Sequence, residues 1–192
     1  MSINYTAYFL QALLVVSLIR DSIEIADERC HKIPLIKNFN IKRITGHWYG
    51  QEIGDLDGNE SSKRCLHYFT TLDEQNSKTT VIGFRIFNGT STIGNVEMFK
   101  AHQVNNSSEF LIEWMEGQAI LSDWLIGTDY DTWSVYYICR PEQVDRGDMF
   151  IITRARNPSN TTLEIARNSV KKCGLKLPNS YFKRIDQSDC VY

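Results

Sequence analysis

From residue 47 to residue 155 the chain is a succession of short runs rich in Val, Ile, Phe, Tyr, Trp and Thr, cut apart by turn-forming segments. Branched and aromatic side chains fit a pleated, half-buried surface. The runs predict eight strands, near residues 47–53, 65–72, 79–87, 92–102, 109–115, 119–127, 132–139 and 148–155. Between them lie 55–63, 73–78, Asn88-Gly89, 105–108, Glu116-Gly117 and 141–147. Asn-Gly marks a tight hairpin because both central positions want positive φ. Strands joined in series by short links make an antiparallel up-and-down meander, and closing it on itself removes the exposed edges. The expected fold is all-β, an eight-stranded barrel.

One helix is expected after the strands. Thr161 and Glu164 have the spacing of a capping box, and Leu163, Ala166, Val170 and Cys173 recur along one face. Gly174 is placed to end it. Such a stripe packs against the outside of a barrel, with Cys173 beneath it.

The length of 192 residues and 42% hydrophobic content suit one domain. A net charge of −2 and no Lys/Arg cluster give no electrostatic case for nucleic acid. Residues 7–19, AYFLQALLVVSLI, are interrupted only by Gln11 and Ser17. A spanning helix needs about 20 apolar residues, so the run reads as a signal-peptide core, though without the usual preceding positive charge. The expectation is a signal over residues 1–20, cleaved near 17–22, and a secreted domain over 30–192 with no transmembrane segment.

Asn-x-Ser/Thr triplets at Asn59, Asn88, Asn105, Asn106 and Asn160 are glycosylation candidates in such a compartment. Cys30, Cys65, Cys139, Cys173 and Cys190 have no metal-finger spacing and read as two bridges plus one odd thiol. Their order leaves the connectivity open. His31, His47, His67 and His102 show no ligand spacing, so neither a metal nor a cofactor is expected.

Gly46-His47-Trp48-Tyr49 opens the first strand, Thr128-Asp129-Tyr130 lies between the sixth and seventh, and the eighth ends in Arg154-Ala155-Arg156-Asn157-Pro158. In these three segments, in this order, the chain resembles the lipocalin family, and within it the apolipoprotein D and insect bilin-binding group. Trp124 to Tyr130, Tyr137 to Cys139 and Gln187 to Cys190 extend the likeness over nearly the whole chain after residue 30. The resemblance implies that Trp48 plugs the closed end, that Arg156 lies across its ring, and that Thr128, Asp129 and Tyr130 form a supporting turn. It also implies bridges Cys30–Cys139 and Cys65–Cys190.

The implied site is the barrel interior, wide enough for one small ligand. Strict alternation from an inward Trp48 puts Gly50 and Glu52 on the same face, and Ile152 and Arg154 with Arg156. An inward Arg154 needs Glu52 or a ligand carboxylate as partner; otherwise the strand end turns it to water. Phe84, Ile86, Phe99 and Leu111 are further lining candidates, as are Trp114, Trp124, Ile126 and Tyr136.

The expected function is a secreted, non-enzymatic carrier of a small hydrophobic ligand: a lipid, sterol, retinoid, fatty acid or tetrapyrrole. The alternative is a regulator or inhibitor that binds a protein through its open-end loops, residues 53–64 among them. An enzymatic reading rests on Cys65, since the prostaglandin D synthases of the family use a second-strand cysteine. A bridge to Cys190 would remove that thiolate. N-terminal sequencing of secreted protein should begin between residues 18 and 23; an intact Met1 would overturn the signal reading.

Overall fold

The computed structural model describes residues 33–54, 63–88, 95–114, 118–139, 147–174 and 181–190, with backbone only for 88, 95–96, 114 and 118–120. The expected signal segment, Cys30 and Asn59 lie outside them. Among these residues eight antiparallel strands follow the expected order: β1 (Gly46–Gly54), β2 (Lys63–Leu72), β3 (Thr79–Asn88), β4 (Asn95–Gln103), β5 (Glu109–Trp114), β6 (Gln118–Thr128), β7 (Trp133–Cys139) and β8 (Asp148–Thr153). Each pairs with the next, and β1 pairs with both β8 and β2, which closes the barrel. A short 3-10 helix, Ile41–Ile44, and a ninth strand, β9 (Phe182–Arg184), add to the expected set.

β1 changes partners along its length. Its first half, Gly46–Tyr49, pairs with β2, whereas Glu52–Gly54 pairs with β9. A bulge between Gly50 and Glu52 marks the change. One extra residue reverses the alternation of side chains, so Trp48 faces inward, Glu52 outward and Ile53 inward again.

The C-terminal segment fills the opening where β1 and β2 part. Ile185 N–H donates to Gln51 O at 2.9 Å, and Cys65 N–H to Asp186 O at 2.8 Å. The buried Gln187 amide donates to Gly50 O at 2.6 Å and Leu66 O at 2.9 Å, one carbonyl from each strand. Ile185 itself packs with Ile53 and Leu66. Cys65–Cys190 is a disulfide, as the resemblance implied. Cys139 is also disulfide-bonded, but the Cys30–Cys139 pairing lies outside the described residues with Cys30.

The helix α1 (Asn160–Lys172) lies against β6, β7 and β8. Its buried face is Leu163, Ala166 and Val170. The expected capping box does not form: Ser159, two residues before Thr161, accepts Thr162 N–H instead. Gly174 ends the helix at φ +80°, as expected of that position. The approach of helix to sheet is close enough that a Cβ on Gly127 would fall 2.7 Å from Ser169 Oγ. Cys173 is a free, half-buried thiol, and burial pushes its pKa up.

The Cys65–Cys190 bridge spans 125 residues of sequence. Replacing both cysteines by serine should lower the unfolding free energy by about 3–5 kcal/mol in urea titrations, chiefly by freeing the unfolded chain. An unchanged midpoint would show that the C-terminal segment is held without it.

Candidate functional site

The closed end is built around Trp48. Its side chain is 1% exposed, and its indole N–H donates to Ile44 O at 2.8 Å. Ile44 with Phe39 and Ile41 continues into a cluster with Phe99, Phe110 and Leu125, so the segment before β1 seals that end. The Arg154 guanidinium lies 3.7 Å from the centre of a Trp48 ring, a cation–π contact. Its nitrogens donate to the carbonyls of Tyr130, Thr45, His47 and Arg43 at 3.2, 2.8, 3.1 and 2.8 Å. Gly46 has φ +98°, and a Cβ there would sit 3.1 Å from Arg154 Nη1. The glycine of Gly-x-Trp therefore makes room for the arginine.

Two expectations are corrected here. Arg156 does not cover Trp48; it donates to Gln187 O at 3.1 Å and Cys190 O at 2.5 Å, tying down the C-terminal segment. Nor does Arg154 face the cavity or turn to water. β8 stops at Thr153, and the first residue beyond it swings across the base. Thr128, Asp129 and Tyr130 do form a turn beside this arginine. Thr128 Oγ1 accepts Tyr130 N–H at 2.8 Å, and Asp129 Oδ1 accepts the N–H groups of Asp131, Thr132 and Trp133. Burial acts to raise the Asp129 pKa, but bonds from the Thr132 hydroxyl and these N–H groups outweigh it and hold the carboxyl low. Tyr130 O–H accepts Asn40 N–H at 3.1 Å, and Arg43 lies over its ring.

Above Trp48 the barrel encloses about 400 Å³. Of the residues expected to line it, Phe84, Ile86, Phe99, Tyr136 and Ile152 do so. Leu66, Tyr68 and Thr70 of β2 join them, with Ile112, Leu121 and Phe150 from β5, β6 and β8. Lys63, Ile53, Ile82, Glu97 and Ile138 complete the lining together with Asp123.

Five expected residues lie elsewhere. Glu52 is turned outward by the β1 bulge and is 1% exposed beneath α1. Both its oxygens accept from Arg167, Oε2 from Nε at 2.8 Å, and Arg184 Nη1 lies 3.5 Å away. Leu111 alternates with the inward Ile112 and stands across from His102 and Ser122. Trp124 alternates with the inward Asp123 and packs on Tyr137 with ring centres 5.8 Å apart. Ile126 is buried where β6 runs under α1, its carbonyl 3.8 Å from Cys173 Sγ. Arg154 is the fifth, and the Trp114 side chain lies outside the described residues.

Sequence reasoning passed over Asp123. It is 5% exposed and faces the cavity midway along β6, and its Oδ1 has no hydrogen-bond partner among the described residues. Burial pushes its carboxyl up to about 8. Tyr136 is raised as well, by burial first and then by Asp123 and Tyr68.

Outside the cavity lining, Thr79 Oγ1, His102 and Glu113 form a hydrogen-bonded chain, with Thr79 Oγ1 3.1 Å from His102 Nδ1 and Glu113 Oε2 2.9 Å from His102 Nε2. No group of three His, Cys, Asp or Glu among the described residues could hold a metal. Cys65 is bonded to Cys190 and offers no thiolate. His47 and His67 stack on the outer face with ring nitrogens 2.9 Å apart. Burial, then His47, Arg85 and Arg156, lower the His67 pKa to about 4.

No protein-family model matches the chain. It is 26% identical over 162 residues to Lazarillo protein of Schistocerca americana, covering 80% of this chain and 73% of that protein. Retinol-binding protein 4 of Gallus gallus is 24% identical over 162 residues, 79% and 82% of the two chains. Among solved structures, the tryptamine complex of the amine binding protein of Rhodnius prolixus superimposes with a TM-score of 0.65. It shares 22% identity with this chain, over 85% of this chain and 90% of its own.

The raised Asp123 carboxyl makes stability depend on pH. The folded state holds this proton more tightly than the unfolded chain, so the contribution is complete below about pH 4 and lost as pH rises to about 8. Asp123→Asn lacks that loss. In denaturant titrations the variant should match the wild type near pH 4 and exceed it by about 5 kcal/mol at pH 8. The lowered carboxyls of Asp73, Asp129 and Asp186 are common to both proteins and cancel. A constant difference would show that Asp123 ionises freely.

Proposed function

The chain belongs to the lipocalin family, and we propose that it is a secreted carrier holding one small, largely apolar molecule inside the barrel. The observation that carries the reading is the cavity itself. At about 400 Å³ it falls within the range of small-molecule sites, and most of its lining is aliphatic or aromatic. The Trp48–Arg154 base closes it at one end, so a ligand would enter between the loops at the other. Retinol-binding protein 4 and the Rhodnius protein are named for small organic ligands, which is consistent with that use of the fold.

Secretion is supported by the apolar run at 7–19 and by the Cys65–Cys190 bridge, since disulfides persist in oxidising compartments. Asn105 and Asn106 are exposed in the β4–β5 turn and Asn160 is exposed at the start of α1, positions open to glycosylation. The side chain of Asn88 and all of Asn59 lie outside the described residues. So do most of the open-end loops on which a protein-binding regulator would depend, and no described feature favours that reading over the carrier. The disulfide at Cys65 weighs against the enzymatic one.

Native mass spectrometry of protein purified from its own source, followed by organic extraction, should find one small molecule per barrel. Binding of an apolar probe should also quench the fluorescence of Trp48, which forms the cavity floor. A protein that carries nothing and binds no apolar probe would overturn the proposal.

A further inference from the structure

We propose that Asp123 is the polar anchor of the cavity and that the ligand it selects carries a protonated amine on an otherwise apolar body. The inference rests on the carrier reading and names the chemistry of that same site.

The ionisable groups around the cavity decide it. On β5 and β7 beside β6, Asp123 is in register with Phe110 and Ile138, neither of which offers a hydrogen bond. Tyr136 of β7, whose pKa burial raises, and Tyr68 of β2 present the nearby phenols. Lys63 stands at the open-end start of β2, and Glu97 of β4 is exposed. Arg154, the cation below, is committed to the Trp48 ring and four carbonyls. Among the described residues, one carboxyl therefore sits at mid-depth with Oδ1 unbonded, and the one cation in the cavity lining is Lys63 at the start of β2.

Three ligand classes meet this arrangement differently. A fatty acid would bring a second carboxylate towards Asp123, and Arg154 is turned onto the Trp48 ring and away from it. A wholly apolar ligand would leave the buried acceptor without a partner. An ammonium supplies up to three donors and the opposite charge, and so favours the ionised carboxylate that burial alone disfavours. The aromatic rings of Tyr68, Phe84, Phe99 and Tyr136 suit both its apolar body and, by their faces, its charge.

The test is calorimetric titration of the full mature protein with phenylbutylamine, phenylbutanol and phenylbutanoate, which differ only in the head group. At pH 8 the amine should bind about tenfold or more tighter than the alcohol, with the carboxylate weakest. Asp123→Asn should bring the amine to within about twofold of the alcohol while the alcohol changes little. Its denaturation curve shows that the variant is folded. In the wild type, lowering the pH from 8 to 6 should weaken the amine about tenfold or more and leave the alcohol alone, because the carboxylate must now be deprotonated for binding. Equal affinity for amine and alcohol, or an amine preference that survives Asp123→Asn, overturns the anchor and leaves the carrier reading intact. If neither the series nor the neutral probe N-phenylnaphthylamine binds, the carrier reading falls and the anchor with it.

Discussion

The barrel depends on one guanidinium. Arg154 lies on the Trp48 ring and holds carbonyls from the segment before β1, from β1 itself and from the turn after β6. Residues 43–47 and Tyr130 are far apart in sequence, and Arg154 ties their carbonyls together at the end of the barrel. A planar, permanently charged group with five donors can satisfy several of them at once while its face rests on an indole. The buried floor follows from this, and an enclosed space above it needs a floor.

A second device works on the opposite side of β1. The bulge at Gln51 carries Glu52 out of the cavity and under α1, where Arg167 grips both carboxylate oxygens and Arg184 of β9 lies near. The same shift lets Ile53 return to the interior. One inserted residue thus removes a charge from the binding space and uses it to fasten helix and ninth strand to the sheet. Buried pairs of this kind are costly to break, because loss of one partner strands the other charge. The polar groups left in the lining are Asp123, Tyr68, Tyr136, Thr70, Lys63 and Glu97.

What the sequence disclosed depended on whether a strand had one apolar face or two. In β3 the inward residues are Ile82, Phe84 and Ile86, and alternation pointed to Phe84 and Ile86 but not to Ile82. β6 is apolar on both faces because α1 covers the outer one, so Trp124 and Ile126 were as plausible as the true inward pair, Leu121 and Asp123. A bulge has no signature in composition, which is why Glu52 was misplaced. Arg154 and Arg156 share a parity, and only the exact end of β8 distinguishes them. β9 has three residues, too few for a period to show. An aspartate within a strand reads as solvent-facing, so nothing in the pattern singled out Asp123.

The wedge formed by residues 185–190 gives the barrel mouth a property that strand number alone would not. Above Gly50 the first and second strands no longer bond each other, and the gap is spanned by Gln187, by main-chain bonds from Ile185 and to Asp186, and by the sulfur bridge at Cys65. The rim is therefore a hoop with a gusset sewn into its seam. There, residues 185–190 rather than strand pairing join β1 to β2, while β1 keeps its register with β8 and β2 its register with β3.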